Sequence, residues 1–282
     1  MIWKVLIELP ELPEVETVLR SLKPKVLGRK INRVTVINEK TIKKPDAAAF
    51  TRCLEGQQIK DINRHGKYLL FELSFSLMLV VHLRMTGRLL FKDSSVPPDR
   101  YTCVIFQLDE GKEIHFQDVR KFGTMYLISC DELDSFPPLC ILGPDALDPK
   151  LTLDLFIKRL ERRHGQVKGV LLNQSFIAGI GNIYANEILW KAGIHPERGV
   201  DSLRLQEKER LYHAVREVLS TAVKLRGTSL RDYVDGDGNP GEYQHHRRVH
   251  GREGEPCPLC GHPIIRIKQG GRSSYYCKIC QD

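Results

Sequence analysis

Four cysteines near the end of the chain stand in two pairs, Cys257-Pro-Leu-Cys260 and Cys277-Lys-Ile-Cys280, separated by 16 residues. A C-x2-C pair forms a tight turn that presents two thiolates, and two such turns complete a tetrahedral shell around one zinc ion. Four thiolates close that shell, so the cofactor expected is one structural Zn2+ with no open position for catalysis. A thioredoxin-like redox pair is the other common use of C-x2-C, but the doubled motif at this spacing favours zinc. Between the pairs, Ile264-Ile265-Arg266-Ile267 and Gly270-Gly271-Arg272-Ser273-Ser274-Tyr275-Tyr276 read as a β-hairpin with a basic tip. Glycines there let backbone and the Arg272 guanidinium approach a phosphate closely. Any covalent chemistry must come from elsewhere in the chain.

The elements that position such residues follow from length and pattern. A chain of 282 residues holds two domains with a small appendage. Its net charge of +8 favours a polyanionic partner, because Lys and Arg release counterions when they neutralise phosphates. No apolar run approaches the roughly 20 residues of a membrane span, and MIWKVLIE lacks the organisation of a secretory signal. A cytoplasmic protein with no membrane partner is expected. The remaining cysteines, Cys53, Cys103, Cys130 and Cys140, are scattered singly and read as reduced thiols. Residues 31–129 alternate apolar stretches with turn residues (INRVTVI, KYLLFEL, LMLVVHLRM, TCVIFQL, EIHFQDVRKFGTMYLI), which predicts a β-sandwich or barrel. A helix starts near Pro13, where proline needs no donor and Glu14 and Glu16 suit the helix dipole. Residues 131–149 hold four prolines and read as a linker. Leu211, Ala214, Val215, Val218, Leu219, Ala222 and Val223 have the spacing of one buried helix face. Glycine and charge dominate residues 226–255, which predicts a long exposed loop before the ribbon.

Three separated segments together resemble one family. Pro10-Glu11-Leu12-Pro13-Glu14-Val15-Glu16-Thr17 resembles the amino terminus of the formamidopyrimidine-DNA glycosylases, bifunctional enzymes that remove oxidised purines such as 8-oxoguanine. Ala178-Gly179-Ile180-Gly181-Asn182-Ile183-Tyr184-Ala185-Asn186-Glu187 is similar to that family's helix-two-turns-helix motif, and the ribbon to its zinc finger. Leu12-Pro13 looks more like the purine-directed branch than the pyrimidine-directed one. The resemblance implies an α+β protein of two domains. A β-sandwich with flanking helices would span 10–130 and a linker 131–150. A helix-two-turns-helix DNA-binding domain would span 151–225, a lesion-capping loop 226–247 and a β-hairpin zinc ribbon 248–282. It further implies a bacterial, nucleoid-associated monomer whose partner is damaged double-stranded DNA.

The same resemblance assigns roles. Pro10 would be the nucleophile, through its secondary amine, and Glu11 the acid and base that opens the sugar ring. Lys67 would serve the elimination steps, and Arg272 would bind phosphate or assist δ-elimination. Met85, Arg120 and Phe122 match the trio that fills the gap left by a flipped nucleotide. Arg163, His164, Lys168 and Asn182 would face the phosphates. Tyr101 stands where many relatives have a phosphate-contacting His. Inside a chain, however, a proline nitrogen is an amide whose lone pair is delocalised. Nine residues precede Pro10. Leu9 stands where the family has its initiator Met, so translation is expected to start there and Met removal to expose Pro10. The alternative is a non-catalytic DNA-binding protein of the same fold.

Overall fold

The computed structural model describes residues 10–282, and these divide into two compact units. The first comprises the described residues up to Cys140 together with Arg226–Glu242; the second comprises Ile141–Leu225 and Tyr243–Asp282.

In the first unit helix α1 (Leu12–Val26) is followed by β1 (Ile31–Val36), β2 (Ile42–Lys44), α2 (Ala47–Leu54), β3 (Ile59–His65), β4 (Tyr68–Leu73) and β5 (Leu77–His82). Then come β6 (Gly87–Asp93), β7 (Thr102–Leu108), β8 (Lys112–Asp118), β9 (Thr124–Ser129) and the short α3 (Pro137–Cys140). The strands form two sheets, ordered β1-β7-β8-β6 and β2-β9-β5-β4-β3. Val104, Phe106, Ile114 and Phe116 of one sheet share a buried core with Ile62, Leu69, Phe71, Leu79, Val81 and Leu127 of the other. The expected sandwich is therefore present, its faces set by the period of two along each strand. Val15, Val18, Leu22 and Val26 seat α1 on that core. Two strands had no clear signal: β3 carries Lys60, Asp61, Asn63 and Arg64 in its seven residues, and β6 opens on Gly87. The stretch from Glu113 to Ile128 is two strands, β8 and β9, divided by a turn at residues 119–123.

The glycine-rich run after Arg226, expected as a long exposed loop, is tied by its backbone to the first unit. Phe91 N–H donates to Gly236 O at 2.8 Å, and Gly236 N–H donates to Ser21 Oγ at 2.9 Å. A Cβ on Gly241 would meet Gly227 O at 2.2 Å, so glycine there serves close backbone packing.

The second unit contains α4 (Leu153–Leu160), α5 (Val167–Leu172), α6 (Asn182–Ala192), α7 (Leu205–Lys224) and a hairpin of β10 (Ile265–Gln269) and β11 (Arg272–Tyr276). All seven apolar positions expected on one helix face are buried along α7. The hairpin turn is Gly270-Gly271, with φ of +54° and +77°, a two-residue geometry that glycine adopts without strain. No helix among the described residues is long and apolar enough to cross a membrane.

Candidate active site

Pro10 and Glu11 are buried at the head of α1. Leu9, the expected start, lies outside the described residues. The Glu14 carboxylate, one turn into the helix and 2% exposed, accepts from Glu11 N–H at 2.8 Å and from Thr228 N–H at 2.7 Å. It thereby ties the backbone beside Pro10 to the segment that begins at Arg226. Gly227, at φ +78°, leaves room for this carboxylate: a Cβ there would meet Glu14 Oε1 at 2.7 Å. Tyr233 donates its hydroxyl to Glu14 O at 3.2 Å, and burial followed by the Glu14 charge pushes that phenol well above its ordinary range. Glu16, read from sequence as a helix-dipole carboxylate, bonds Arg64 Nε at 2.8 Å and so fixes α1 to β3.

Lys67 lies in the tight turn from β3 to β4, after Gly66 at φ +57°. His82, at the end of β5, packs edge-on against Tyr68 at 4.5 Å and accepts Arg84 N–H on Nδ1 at 2.9 Å. Burial, reinforced by the charges of Arg84 and Lys67, lowers its pKa to about 3, so a neutral imidazole stands near Lys67. Below its ordinary pKa of 6.5 the unfolded chain takes a proton that the folded protein refuses, so stability falls from there toward about 3. His82→Gln, which keeps an acceptor for Arg84 N–H, should flatten that acid limb in denaturant titrations. An unchanged slope between neutral and mildly acid pH would remove this explanation.

Met85 sits half-buried in the turn between β5 and β6. Arg120 and Phe122 project from the turn between β8 and β9, with Phe122 51% exposed and the Arg120 guanidinium 5.0 Å from its ring centre. Tyr101 immediately precedes β7 and stacks under Arg100 at 4.7 Å.

In the second unit Arg163 and His164 line a shallow basic depression with Arg162, Gln166 and Asn173. Arg163 also donates to Ser175 O at 3.0 Å, and His164 meets Asp201 at 3.2 Å. Asn182 opens α6 behind Gly181, and its buried Oδ1 has no partner among the described residues. Lys168 is bonded from inside the fold. It is 1% exposed, and its ammonium donates to Ser273 O at 2.8 Å and Ser274 Oγ at 2.7 Å. It holds the hairpin beside Arg272 from within. Arg272 itself is exposed at the start of β11.

The four sulfurs of Cys257, Cys260, Cys277 and Cys280 lie within 4.8 Å of one another. Cys257 and Cys280 are 3.9 Å apart and Cys260 and Cys277 3.3 Å, against about 3.8 Å for thiolates on a tetrahedral zinc. Trp190 Nε1 of α6 donates to Cys257 Sγ at 3.4 Å. Burial raises the Cys257 thiol, but N–H donors from Leu259, Trp190 and Cys260 outweigh it and bring the pKa to about 6. Burial and neighbouring sulfurs push Cys280 the other way. Four thiols this close ionise together only around a cation.

Three family descriptions tile the chain: formamidopyrimidine-DNA glycosylase N-terminal domain over 9–125, formamidopyrimidine-DNA glycosylase H2TH domain over 142–234, and zinc finger found in FPG and IleRS over 254–282. The formamidopyrimidine-DNA glycosylase of Desulforamulus reducens is 48% identical over 274 residues, 97% of this chain and 99% of the relative. The chain belongs to the formamidopyrimidine-DNA glycosylase family. The relative from Pelotomaculum thermopropionicum is 47% identical over 97% of this chain and 99% of its own length. Among solved structures, a Lactococcus lactis Fpg variant in complex with DNA containing Fapy-dG superposes with a TM-score of 0.90 at 35% identity, covering 96% of this chain and 99% of that one. MutM (Fpg) from Thermus thermophilus gives 0.87 at 39%, covering 96% and 98%.

As a member of the glycosylase family, the chain carries a zinc finger whose four cysteines hold one structural Zn2+. Sequence reasoning missed the support around these sites. Glu187 of α6 accepts from three successive backbone N–H groups, those of Arg248, Val249 and His250, at 2.7, 3.0 and 2.8 Å, and so anchors the segment leading into the finger. Glu187→Gln turns one acceptor into a donor facing an N–H, and should cost on the order of 1–3 kcal/mol in denaturant unfolding. A loss below a few tenths would mean that the carboxylate is dispensable.

Proposed function

We propose that the protein excises oxidised purines, 8-oxoguanine and formamidopyrimidines, from duplex DNA and then cuts the strand at the resulting abasic site by β,δ-elimination. The observation that carries this is the Pro10-Glu11 pair at the buried head of α1, with Glu14 bonding both that backbone and Thr228. The Pro10 nitrogen, as a free secondary amine, attacks the sugar's anomeric carbon, the glycosidic bond breaks, and the base leaves with a proton. Glu11 moves the protons that open the ring and form the iminium. The neighbouring sugar proton is then acidic enough to be lost, expelling the 3′ phosphate, and a second elimination expels the 5′ phosphate. Lys67 and Arg272 act in those steps as cations near the phosphates.

The lesion leaves the stack, and Met85, Arg120 and Phe122 occupy the gap. The helix-start N–H groups at Asn182 donate to a phosphate, while Arg163 and His164 add positive surface for it. Tyr101 takes the place of a phosphate-contacting His. The segment from Arg226 caps the flipped base through its backbone. The enzyme works as a monomer in the bacterial cytoplasm, on the nucleoid. Support comes from the relatives' names, from the Lactococcus lactis complexes with Fapy-dG and abasic-site DNA, and from a family match that begins at residue 9.

Duplex carrying 8-oxoguanine opposite cytosine is the substrate for the test. Base release with a one-nucleotide gap bearing phosphate at both ends is the expected product. Tight binding to the same duplex with neither release nor scission would select the non-catalytic alternative.

A further inference from the structure

The turns that carry Met85 and Phe122 meet at one buried carboxylate. Asp118, 1% exposed at the end of β8, accepts on Oδ1 from the Thr86 hydroxyl and from Arg120 N–H, the latter at 3.1 Å. Its Oδ2 accepts from Gly123 N–H at 2.6 Å. Thr86 Oγ1, between Met85 and Gly87, itself accepts Arg120 N–H at 3.0 Å. These partners are a hydroxyl and backbone N–H groups rather than a cation, so the carboxylate's charge serves the backbone of two turns.

Both turns are also fixed at their ends. A Cβ on Gly87 would meet Leu83 O at 2.3 Å, and one on Gly123 would meet the Phe116 ring at 2.3 Å. Beyond these anchors Arg120, Lys121 and Phe122 are exposed. The backbone is held while the side chains are free to reach outward.

We propose that Asp118 and Thr86 are positioning residues that hold the Met85 turn and the turn bearing Arg120 and Phe122 in one register, so that the wedges enter the base stack as a unit. This rests on the gap-filling role given above to those three side chains. Two turns ordered separately on DNA would each lose conformational freedom at that moment; a pair already locked loses less. Misplacement of such groups by about 1 Å is costly out of proportion to their distance from the reacting atoms.

The test compares Thr86→Val, which keeps shape and removes the hydroxyl, with Thr86→Ser, which restores it. Asp118→Asn is a second variant, because its amide nitrogen would face Gly123 N–H. Two readouts are taken on one duplex with 8-oxoguanine: single-turnover base release, and the fluorescence at saturating protein of 2-aminopurine placed opposite the lesion. Thr86→Val and Asp118→Asn should lose tenfold or more in release, on the order expected for a misplaced group, and should show a diminished fluorescence change. Thr86→Ser should recover both. Wild-type behaviour of Thr86→Val and Asp118→Asn in either readout overturns the proposal, as does a Thr86→Ser defect equal to that of Thr86→Val. Failure of the underlying glycosylase reading looks different: the unaltered protein would then release no base at all.

Discussion

Removal of zinc should unfold the ribbon and lower affinity for duplex DNA by on the order of 100-fold, while α6 and α7 stay folded. The finger's own buried core is Val249, Cys257, Ile264, Tyr275 and Cys277, and two of those five are metal ligands. So small a module does not bury enough apolar surface to stay folded unaided. Structural zinc supplies about 10–16 kcal/mol in isolated fingers, far more than such a core. The hairpin would then no longer present Arg272, even with Lys168 and Glu187 intact on the helical side. Trp190 gives a local signal, because its indole N–H rests on Cys257 Sγ. Chelation, or Cys277→Ala, should shift an emission component absent from Trp190→Phe. Full extraction of one zinc per chain with DNA affinity kept within twofold would show that the finger is dispensable.

Glu11→Gln should lower base release by about 10²- to 10⁴-fold, the range that positioned proton transfer contributes. The substitution keeps side-chain size and leaves the backbone contacts of residue 11 in place: its N–H on Glu14 and its carbonyl on Val15 N–H. Folding and DNA affinity should therefore stay within a few-fold of the parent, and the loss should fall on the chemical step. Single-turnover release from the 8-oxoguanine duplex, with binding measured in parallel, separates the two. A rate within fivefold of the parent would mean that another group moves those protons.

What was legible in the sequence tracks how local each signal is. The cysteine pairs were readable because their spacing is set by the metal geometry itself, and Gly270-Gly271 because a two-residue turn needs positive φ at both positions. The burial of Lys168 was not legible from residue type, since lysines are seldom buried. Its context held the signal: Val167, Val170 and Leu171 around it are all buried in a short helix, so it shares their environment. The glycines after Arg226 suggested exposure, yet Gly227 and Gly241 are where backbone and Glu14 come too close for any Cβ. Glu14 looked like a dipole carboxylate because its partner Thr228 is more than 200 residues away. Asp118 was hidden likewise, bonding a hydroxyl 32 residues earlier. Partnerships across such separations leave no periodic trace.

Borohydride trapping of the native protein on 8-oxoguanine duplex, followed by mass mapping of the adduct, bears most directly on the nucleophile. The expected result is a covalent complex whose modified peptide begins at Pro10, with the sugar remnant on its nitrogen. An adduct on a lysine, or a protein that retains residues ahead of Pro10 and yet excises the base, would contradict the assignment.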